Sequence, residues 1–414
     1  MPANPKIEGD ADVGRGGSHW AQGPPHEELA ETRRTCPVQW TDRMEDFPEE
    51  GGFWSLMKAE HIREASLNWE DFSSELGGVV LVDSVLPPAI QSGMFIAMDP
   101  PRHDRIKAIF QKGFTPKRIG EHEEEIREIV VNVLDRLGDR TEFDLVEEVA
   151  QPVVSRVICR FMGIPEEDDK LWADLMNGIL ASSDPDINPE GVETVMARDV
   201  PEVFSRVQAM IAERREDPTD DLTSLLMNAE VEGERLEEHE IIMGFFLLMA
   251  AGNDSTKATY CSAMHALIEH PEERQKLVDD PSLIPSAVEE SLRMFPAFAH
   301  FRRTATRDVE IGGRTIEKGD RVALWYVSSN RDEDVYEDPD RFDVERNPQH
   351  QAFGAGGRHF CLGAALARLE LRLLIEETLK RYPDLEIAGP VSWVQSGFVN
   401  QIKTLPVRVP ASGA

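Results

Sequence analysis

Apolar and polar positions along this chain alternate mostly with the period of an α-helix. In segment 120–138 the apolar residues fall at intervals of three and four along one stripe, which is typical of an amphipathic helix. The same spacing recurs in segment 200–217, which ends before Pro218, and more briefly in segment 220–230. The pattern therefore predicts a mainly α fold.

Signals for β-strands are few and lie late in the chain. Short alternating runs flank Gly312 and Gly313, a pair of residues typical of a hairpin turn. Segment 395–409 predicts a second small strand pair, and the polar segment 182–195 predicts a long loop that could act as a mobile flap. We expect small β-sheets beside a dominant set of helices.

The longest apolar run predicts a helix over about 237–270, apolar on all sides in its first half and therefore buried. The stretch 251–256 interrupts it with a glycine, an aspartate and two hydroxyl side chains, which suit a helix interior poorly. A buried carboxylate is costly unless it is paired or serves a function. The stretch is therefore either a functional site or a polar patch at a break in the helix.

Length and charge narrow the class of protein. The 414 residues carry a formal charge of −33, which disfavours a nucleic-acid partner because its phosphates would be repelled. Residues 1–25 are polar and lack the apolar run of a signal peptide or membrane anchor, so we expect a flexible tail there and a single domain over 26–414. The four cysteines form no CxxC pair, which indicates a reducing, cytoplasmic setting.

One of these cysteines, Cys361, lies in a glycine-rich loop directly before a helical leucine pattern. Glycines allow close backbone approach to a bulky or flat group. The unpaired amides at a helix N-terminus stabilise a thiolate, which suits a nucleophile or a metal ligand. A small buried residue before a helix is the structural alternative, and a nucleophile would also need a histidine base, for which His359 is the nearby candidate.

The segment 353–363, FGAGGRHFCLG, resembles the haem-binding loop of the cytochrome P450 family, and in particular its soluble bacterial members. The match includes Cys361, His359 and Gly363, whereas Phe353 lies eight positions before the cysteine, one more than is common. The resemblance implies a P450 fold in which haem b lies between the long central helix and the helix after the cysteine. Cys361 would be the iron ligand, and Phe353 and Gly363 would contact the haem.

Four further segments resemble motifs of this family in the family's order. Glu290 and Arg293 match a buried ExxR ion pair, which a later arginine, either Arg341 or Arg346, would join. The resemblance also implies haem propionate contacts from basic side chains, with a lysine where the family usually has arginine: His359, Arg303, His103 and Lys107.

The interruption at 251–256 resembles the oxygen-activating motif of the family's central helix. Asp254 would be the acid and Ser255, in place of the usual threonine, the alcohol of a proton relay, with Thr256 as partial compensation. By the same resemblance, apolar residues would line a substrate pocket above the haem: Phe246, Ala250, Ala251, Ala297, Phe298, Phe398 and Val399.

The resemblance implies a monooxygenase that hydroxylates an unactivated C–H bond of a hydrophobic lipid, sterol, terpenoid or alkane-like molecule, using O2. Electrons would come from a ferredoxin and its reductase, with NAD(P)H acting only indirectly. A basic face near Arg105, Lys112, Arg358 and Arg372 would bind the ferredoxin. Specialised oxidation (C–C coupling or peroxide-driven), a haem-thiolate sensor without turnover and a protein without haem stay open.

Overall fold

The computed structural model describes residues 14–82, 86–231 and 233–410. The α-helices among them are α1 His26–Thr35, α2 Ala59–Leu67, α3 Pro88–Gln91, α4 Arg102–Gln111, α5 Pro116–Gly120, α6 Glu123–Arg136, α7 Gln151–Met162, α8 Asp169–Leu180, α9 Val192–Glu216, α10 Leu222–Asn228, α11 Glu238–Glu269, α12 Pro271–Asp279, α13 Ile284–Met294, α14 Tyr326–Ser329 and α15 Ala364–Arg381. The mainly α prediction is confirmed.

The strands are short, as expected. They are β1 Val38–Thr41, β2 Phe53–Leu56, β3 Phe72–Ser73, β4 Glu142–Asp144, β5 Glu230–Val231, β6 Glu234–Arg235, β7 His300–Ala305, β8 Val309–Ile311, β9 Arg314–Ile316, β10 Arg321–Trp325, β11 Glu386–Ile387, β12 Ser392–Trp393, β13 Ile402–Thr404 and β14 Pro406–Arg408.

The largest sheet has the order β1-β2-β10-β7-β3, with β10 parallel to β2 and antiparallel to β7. The hairpin predicted at Gly312–Gly313 joins β8 to β9, and both glycines have positive φ, 55° and 73°. The second predicted pair is wrong: β13 pairs with β12, while β14 pairs with β11 and β4. Local alternation located these strands but could not identify their partners.

Helix α11 is the central element, 32 residues and about 48 Å long. A capping box between Glu237 and Glu240 begins it, and it packs against α7, α8, α9, α13 and α15. Gly252 permits the close contact with α7, because a Cβ there would lie 2.9 Å from the side chain of Ile158. The buried long helix predicted over about 237–270 is confirmed.

Segment 182–195 is anchored, contrary to the flap prediction. Asp184 is fully buried, accepts a hydrogen bond from the Gln395 amide at 2.9 Å and pairs with Lys403 at 3.1 Å. Asn188 donates to the carbonyl of Gly178 at 2.9 Å. Polar composition suggested mobility, but Asp184 binds partners far along the chain, and Asn188 binds the end of α8.

The N-terminal boundary also differs from the prediction. Residues 1–13 of the expected tail lie outside the described residues. Residues 14–25 pack against the body of the protein, since Trp20 is 2% exposed and stacks on Trp325 with ring centroids 5.9 Å apart. A lone tryptophan in a Gly- and Pro-rich stretch gives no periodic signal, although its apolar area favours burial.

Candidate active site

The cysteine loop is held in a tight, close-packed conformation. The amide of Cys361 donates to the carbonyl of Phe353 at 2.9 Å, which closes the loop before α15 begins. Gly357 has φ of 79°, and a Cβ at this position would lie 2.6 Å from the carbonyl oxygen of Ser66. Glycine is therefore required here both for its backbone conformation and for the approach of α2.

The thiol of Cys361 lines an internal cavity. Its surroundings shift its pKa in opposite directions. Burial raises it, whereas the Gly363 amide and the cations of Lys107 and Arg368 lower it. Arg368 also lies over the ring of Phe353, 4.7 Å from its centroid. These surroundings are typical of a cysteine positioned as a thiolate ligand, and not of a cysteine that only packs against its neighbours.

Lys107 performs a task that the sequence did not suggest. Its ammonium group is largely buried and donates to the carbonyls of Arg358 and Phe360, the latter at 2.7 Å. Lys107 therefore ties α4 to the cysteine loop, and it also lines the cavity, so that its contact with a propionate stays a prediction.

Three further basic residues meet at one end of the cavity. The guanidinium of Arg303 is buried, and the described part of the chain gives it no carboxylate partner; it donates to the Arg302 carbonyl at 2.7 Å. The rings of His103 and His359 lie 4.3 Å apart, and Nδ1 of His359 is buried without a hydrogen-bond partner. Burial lowers the pKa of His359 far below its ordinary value, and Arg303 and His103 add to that effect.

Both histidines are also oriented by polar neighbours. Nε2 of His359 lies 3.2 Å from the hydroxyl of Ser74, and Nδ1 of His103 lies 2.9 Å from Oδ1 of Asp104. Arg303 comes from β7, where it pairs with Val322 of β10, so the central sheet sets its position.

These features fit a flat apolar group that carries anionic arms. The cavity walls are mainly apolar, the thiol lies on one wall, and the buried Arg303 guanidinium, which has no ion-pair partner in the described residues, lies at the edge beside the two histidines. A buried guanidinium without a counter-charge is costly, so a carboxylate supplied by a ligand would relieve it. Haem has this combination of a broad apolar ring, two carboxylates and a metal that binds thiolate.

Helix α11 contributes two hydroxyls to the cavity wall. Ser255 and Thr256 both line the cavity, and the Ser255 hydroxyl donates to the Ala251 carbonyl at 2.7 Å. Since this bond uses the serine proton, the Ser255 oxygen remains available to the cavity as an acceptor.

Asp254 does not line the cavity with them. It is buried on the other side of α11, in an ion pair with Lys257. Lys257 also donates to Gln151 and Asn177, each at 2.6 Å, and these four side chains line a second, polar cleft. One residue along a helix turns the side chain by about 100°, which separates Asp254 from its sequence neighbour Ser255.

The residues predicted to line the substrate pocket lie together around the cavity, with one exception. Six of its seven members line the cavity: Phe246, Ala250, Ala251, Ala297, Phe298 and Phe398. Val399 does not, although it is buried and bridges to Phe298 through the backbone. Neighbouring residues of an extended chain point to opposite sides, so Phe398 and Val399 cannot both face the same cavity.

The structure also adds cavity residues that the sequence reasoning missed. Glu370 of α15 and Tyr326 of α14 both line the cavity and are almost completely buried. The sequence could have indicated Glu370, because helical spacing after the cysteine places it on the same face as Gly363, Leu366 and Ala367. For Tyr326 the local pattern contains no such indication.

Glu290 and Arg293 form a fully buried bidentate ion pair with N···O distances of 2.7 and 2.8 Å. Arg346 completes it at 3.2 Å from Glu290, whereas the side chain of Arg341 pairs with Asp343. The backbone carbonyl of Arg341 accepts from Arg293 at 3.3 Å. Of the two candidates from the sequence, Arg346 is therefore the third member.

The face formed by α4, α5 and residues 354–363, here called the loop face, is less basic than its sequence suggests. Arg358 pairs with Asp104, Arg105 with Glu240 at 2.5 Å and Arg372 with Glu123 at 2.7 Å. The ammonium of Lys112 donates to the carbonyl of Glu230 at 2.6 Å. Three of the four cations named for a ferredoxin site are thus neutralised locally.

None of the helices in the described ranges combines the length and the apolar character that a membrane crossing requires.

Comparison with known proteins identifies the family. The cytochrome P450 family description matches residues 52–388. A methyl-branched lipid omega-hydroxylase of Mycobacterium tuberculosis is 37% identical over 387 residues, covering 92% of this chain and 90% of that protein. A steroid C26-monooxygenase of Mycolicibacterium smegmatis is 33% identical over 401 residues, covering 94% of this chain and 91% of the relative.

Solved structures agree with this result. The Mycobacterium marinum cytochrome P450 CYP268A2, in complex with pseudoionone, superimposes with a TM-score of 0.91 at 33% identity, covering 99% of this chain and all of the other. The chain belongs to the cytochrome P450 family and is a P450 monooxygenase.

Proposed function

We propose that this enzyme hydroxylates a terminal or near-terminal carbon of a methyl-branched lipid, steroid or terpenoid-like molecule, with electrons supplied by a ferredoxin. The observation that carries the proposal is the cavity itself. Its walls are apolar around Phe246, Phe298 and Phe398, and its polar groups include the thiol, the Arg303 guanidinium and the α11 hydroxyls. Such walls suit the hydrocarbon part of a substrate and orient it by shape.

The names of two relatives support the position of attack. One is an omega-hydroxylase and the other a C26-monooxygenase, and both names refer to the end of a chain. The aromatic side chains Phe298 and Phe398 pack with ring centroids 5.2 Å apart and form one apolar part of the cavity wall. This surface suits the hydrocarbon end of such a molecule.

The cofactor proposed is haem b, held by Cys361 with Arg303, His103 and His359 near its carboxylates. When bound, a thiolate-ligated haem supplies activation of dioxygen and insertion of one oxygen atom into a C–H bond. The protein's own side chains bind the substrate, keep water out of the apolar part of the cavity and present the hydroxyls of Ser255 and Thr256 as hydrogen-bond partners.

The first test is the carbon monoxide difference spectrum of the reduced protein. We expect the red-shifted Soret band of a thiolate ligand, and Cys361→Ala should abolish it while Cys36→Ala, at a half-buried cysteine elsewhere, leaves it intact. Failure to bind haem when haem is supplied, or an unchanged band in Cys361→Ala, would contradict the proposal.

The second test addresses the substrate. A methyl-branched fatty acid, a steroid with an intact side chain and a terpenoid ketone are titrated while the water-displacement shift of the Soret band is followed, and products are identified by mass spectrometry. We expect binding of at least one class and hydroxylation at its chain terminus, in the presence of ferredoxin and its reductase. Oxidation within a ring, or turnover with peroxide alone, would contradict this assignment.

A further inference from the structure

Gln91 is a buried polar side chain in an apolar part of the cavity wall. It is the last residue of α3 and is 1% exposed. Within the described residues 79–82 and 86–96, it is the only cavity-lining residue with a polar side chain. A buried amide is costly unless its hydrogen-bonding groups are bound, so its partners indicate what it does.

The Gln91 amide binds the backbone of three other residues of this wall. Its Oε1 accepts hydrogen bonds from the amides of Val79 at 2.8 Å and Val80 at 3.2 Å, and its Nε2 donates to the carbonyl of Leu86 at 2.7 Å. The two valines belong to no helix or strand, so their amides have no partner in a ladder. Gln91 supplies the hydrogen bonds that secondary structure would otherwise provide, and both acceptor sites of its oxygen are used.

The carbonyl of Val79 is bound from the other direction. It accepts a hydrogen bond from the backbone amide of Arg302 on β7 at 2.8 Å. The neighbouring residues of β7, Phe301 and Arg303, line the cavity. Val79 is therefore held between α3 and β7, and the position of this wall relative to Arg303 depends on Gln91.

Gly78 shows how closely the Gln91 amide fits against the chain. Its φ is 81°, and a Cβ at this position would collide with Oε1 of Gln91. Glycine leaves the space through which the amide oxygen reaches the two valine amides.

The far end of the same wall is fixed by packing instead. A Cβ on Gly93 would lie 2.7 Å from Cγ of Met243 on α11, and the ring of Phe95 packs on Phe110 of α4 with centroids 5.0 Å apart. These contacts do not involve the Gln91 side chain. Loss of its hydrogen bonds would therefore release one end of the wall and leave the other in place.

We propose that Gln91 is a positioning residue that fixes Val79, Val80 and Leu86 in the cavity wall and thereby determines which carbon of the substrate is hydroxylated. It acts through these three residues and not on the reacting atoms. Discrimination between neighbouring carbons of a chain requires a fixed pose, because a misplacement of about 1 Å changes reaction rates strongly. The proposal rests on the function proposed above.

The first test compares Q91M with Q275M in the haem-loaded enzyme. Methionine keeps the length of glutamine and removes its hydrogen-bonding groups, and Gln275 is an exposed glutamine of α12 that binds Asp279. The probe is a methyl-branched fatty acid, or a steroid with an intact side chain if the fatty acid is not oxidised. We expect Q91M to lower the ratio of the main alcohol to its positional isomers about tenfold, and Q275M to leave it unchanged. This ratio does not depend on how much of the enzyme is folded.

The second test disturbs the same amide from the side of Gly78. Gly78→Ala adds a Cβ that collides with Gln91, whereas Gly313→Ala has similar backbone strain, φ of 73°, and no atom within 4 Å of the added Cβ. We expect Gly78→Ala to lower the product ratio as Q91M does, and Gly313→Ala to leave it unchanged. If Q91M does not fold, this pair of variants carries the test.

An unchanged product ratio in Q91M and in Gly78→Ala, whatever their stability, would overturn the proposal. An equal fall of the ratio in Q275M or Gly313→Ala would also overturn it, because general loosening of the fold would then be the cause. If the unaltered enzyme oxidises the probe mainly away from the chain terminus, the proposed position of attack fails, while the ratios still decide the role of Gln91. A missing carbon monoxide band in the unaltered protein would overturn the proposed function and this inference with it.

Discussion

Glu290 and Arg293 depend on each other because neither side chain contacts solvent. A buried ion pair is stable only when its remaining hydrogen-bonding groups also find partners. Here Arg293 also donates to the carbonyls of Asn330 and Pro339, and Arg346 reaches Glu290 from the later loop. The pair therefore joins α13 to the segment that precedes the cysteine loop.

This arrangement predicts unequal effects for the two arginines that the sequence could not separate. Arg346→Ala should lower the free energy of unfolding by about 1 to 3 kcal/mol, because it removes hydrogen bonds to a buried carboxylate. Arg341→Ala should change it by less than about 0.5 kcal/mol, since that side chain is mostly exposed. Urea unfolding at equal haem content measures both, and equal effects would show that Arg346 is not the third member.

The structure brings together single residues to which the family resemblance attached chemistry, while their roles stay predictions. Cys361, Arg303, His103 and His359 all converge on one cavity. Lys107 binds two loop carbonyls because its side chain ends in an ammonium group, a point charge that donates to oxygen atoms in several directions. Which groups a lysine binds depends on the acceptors that the fold places near it, and the local sequence does not contain that information.

At the scale of elements, the cysteine loop is positioned by the backbone of α2 as much as by its own glycines. Gly357 has a positive φ, and the carbonyl of Ser66 occupies the space where a side chain would begin. The loop can therefore lie close to α2 only with glycine at this position.

Gly357→Ala should destabilise the loop by about 1 to 3 kcal/mol and reduce the haem retained per chain. Gly313→Ala is the matched control, because it has the same kind of backbone strain, φ of 73°, but no atom within 4 Å of the added Cβ. The pyridine haemochrome assay after gel filtration measures haem per chain. Equal haem loss in both variants would mean that strain, and not the collision with Ser66, determines the result.

Helix α11 shows why an element predicted with correct bounds still leaves the chemistry open. Its ends were located to within about one residue of the observed Glu238–Glu269. Its contacts with α7 and α8 direct Asp254 and Lys257 into the polar cleft, and its contact with α15 brings Thr256 to Glu370. The rotation of a helix about its axis is decided by the neighbours that it packs against.

For the whole molecule, the formal charge of −33 governs encounters with other proteins. An acidic ferredoxin would be repelled except near exposed cations. On the loop face the described contacts give no ion pair to Lys117, which is exposed on α5. We therefore expect Lys117 to contribute more to steering than the paired Arg105, Arg358 and Arg372.

Lys117→Glu should slow reduction by an acidic ferredoxin about fourfold at low salt, the effect of two charge units at about 10 Å in water. Lys170→Glu makes the same change on α8 at a site 86% exposed, and should have little effect. Stopped-flow reduction at several salt concentrations measures this, and the difference should shrink as salt rises. If both variants slow reduction equally, the net charge of the protein, and not a local docking face, determines the rate.

The sequence by itself determined the mainly α class, the long central helix, the hairpin at Gly312–Gly313 and the residue types needed for a thiolate-ligated haem. These features depend on spacing along the chain, which the sequence contains directly. Only the tertiary structure decided that Asp254 lies outside the cavity and Glu370 inside it, that Arg346 joins the buried pair and that segment 182–195 is anchored. Each of these depends on contacts between residues far apart in the chain, where packing and the pairing of buried polar groups select one arrangement from several that local pattern permits.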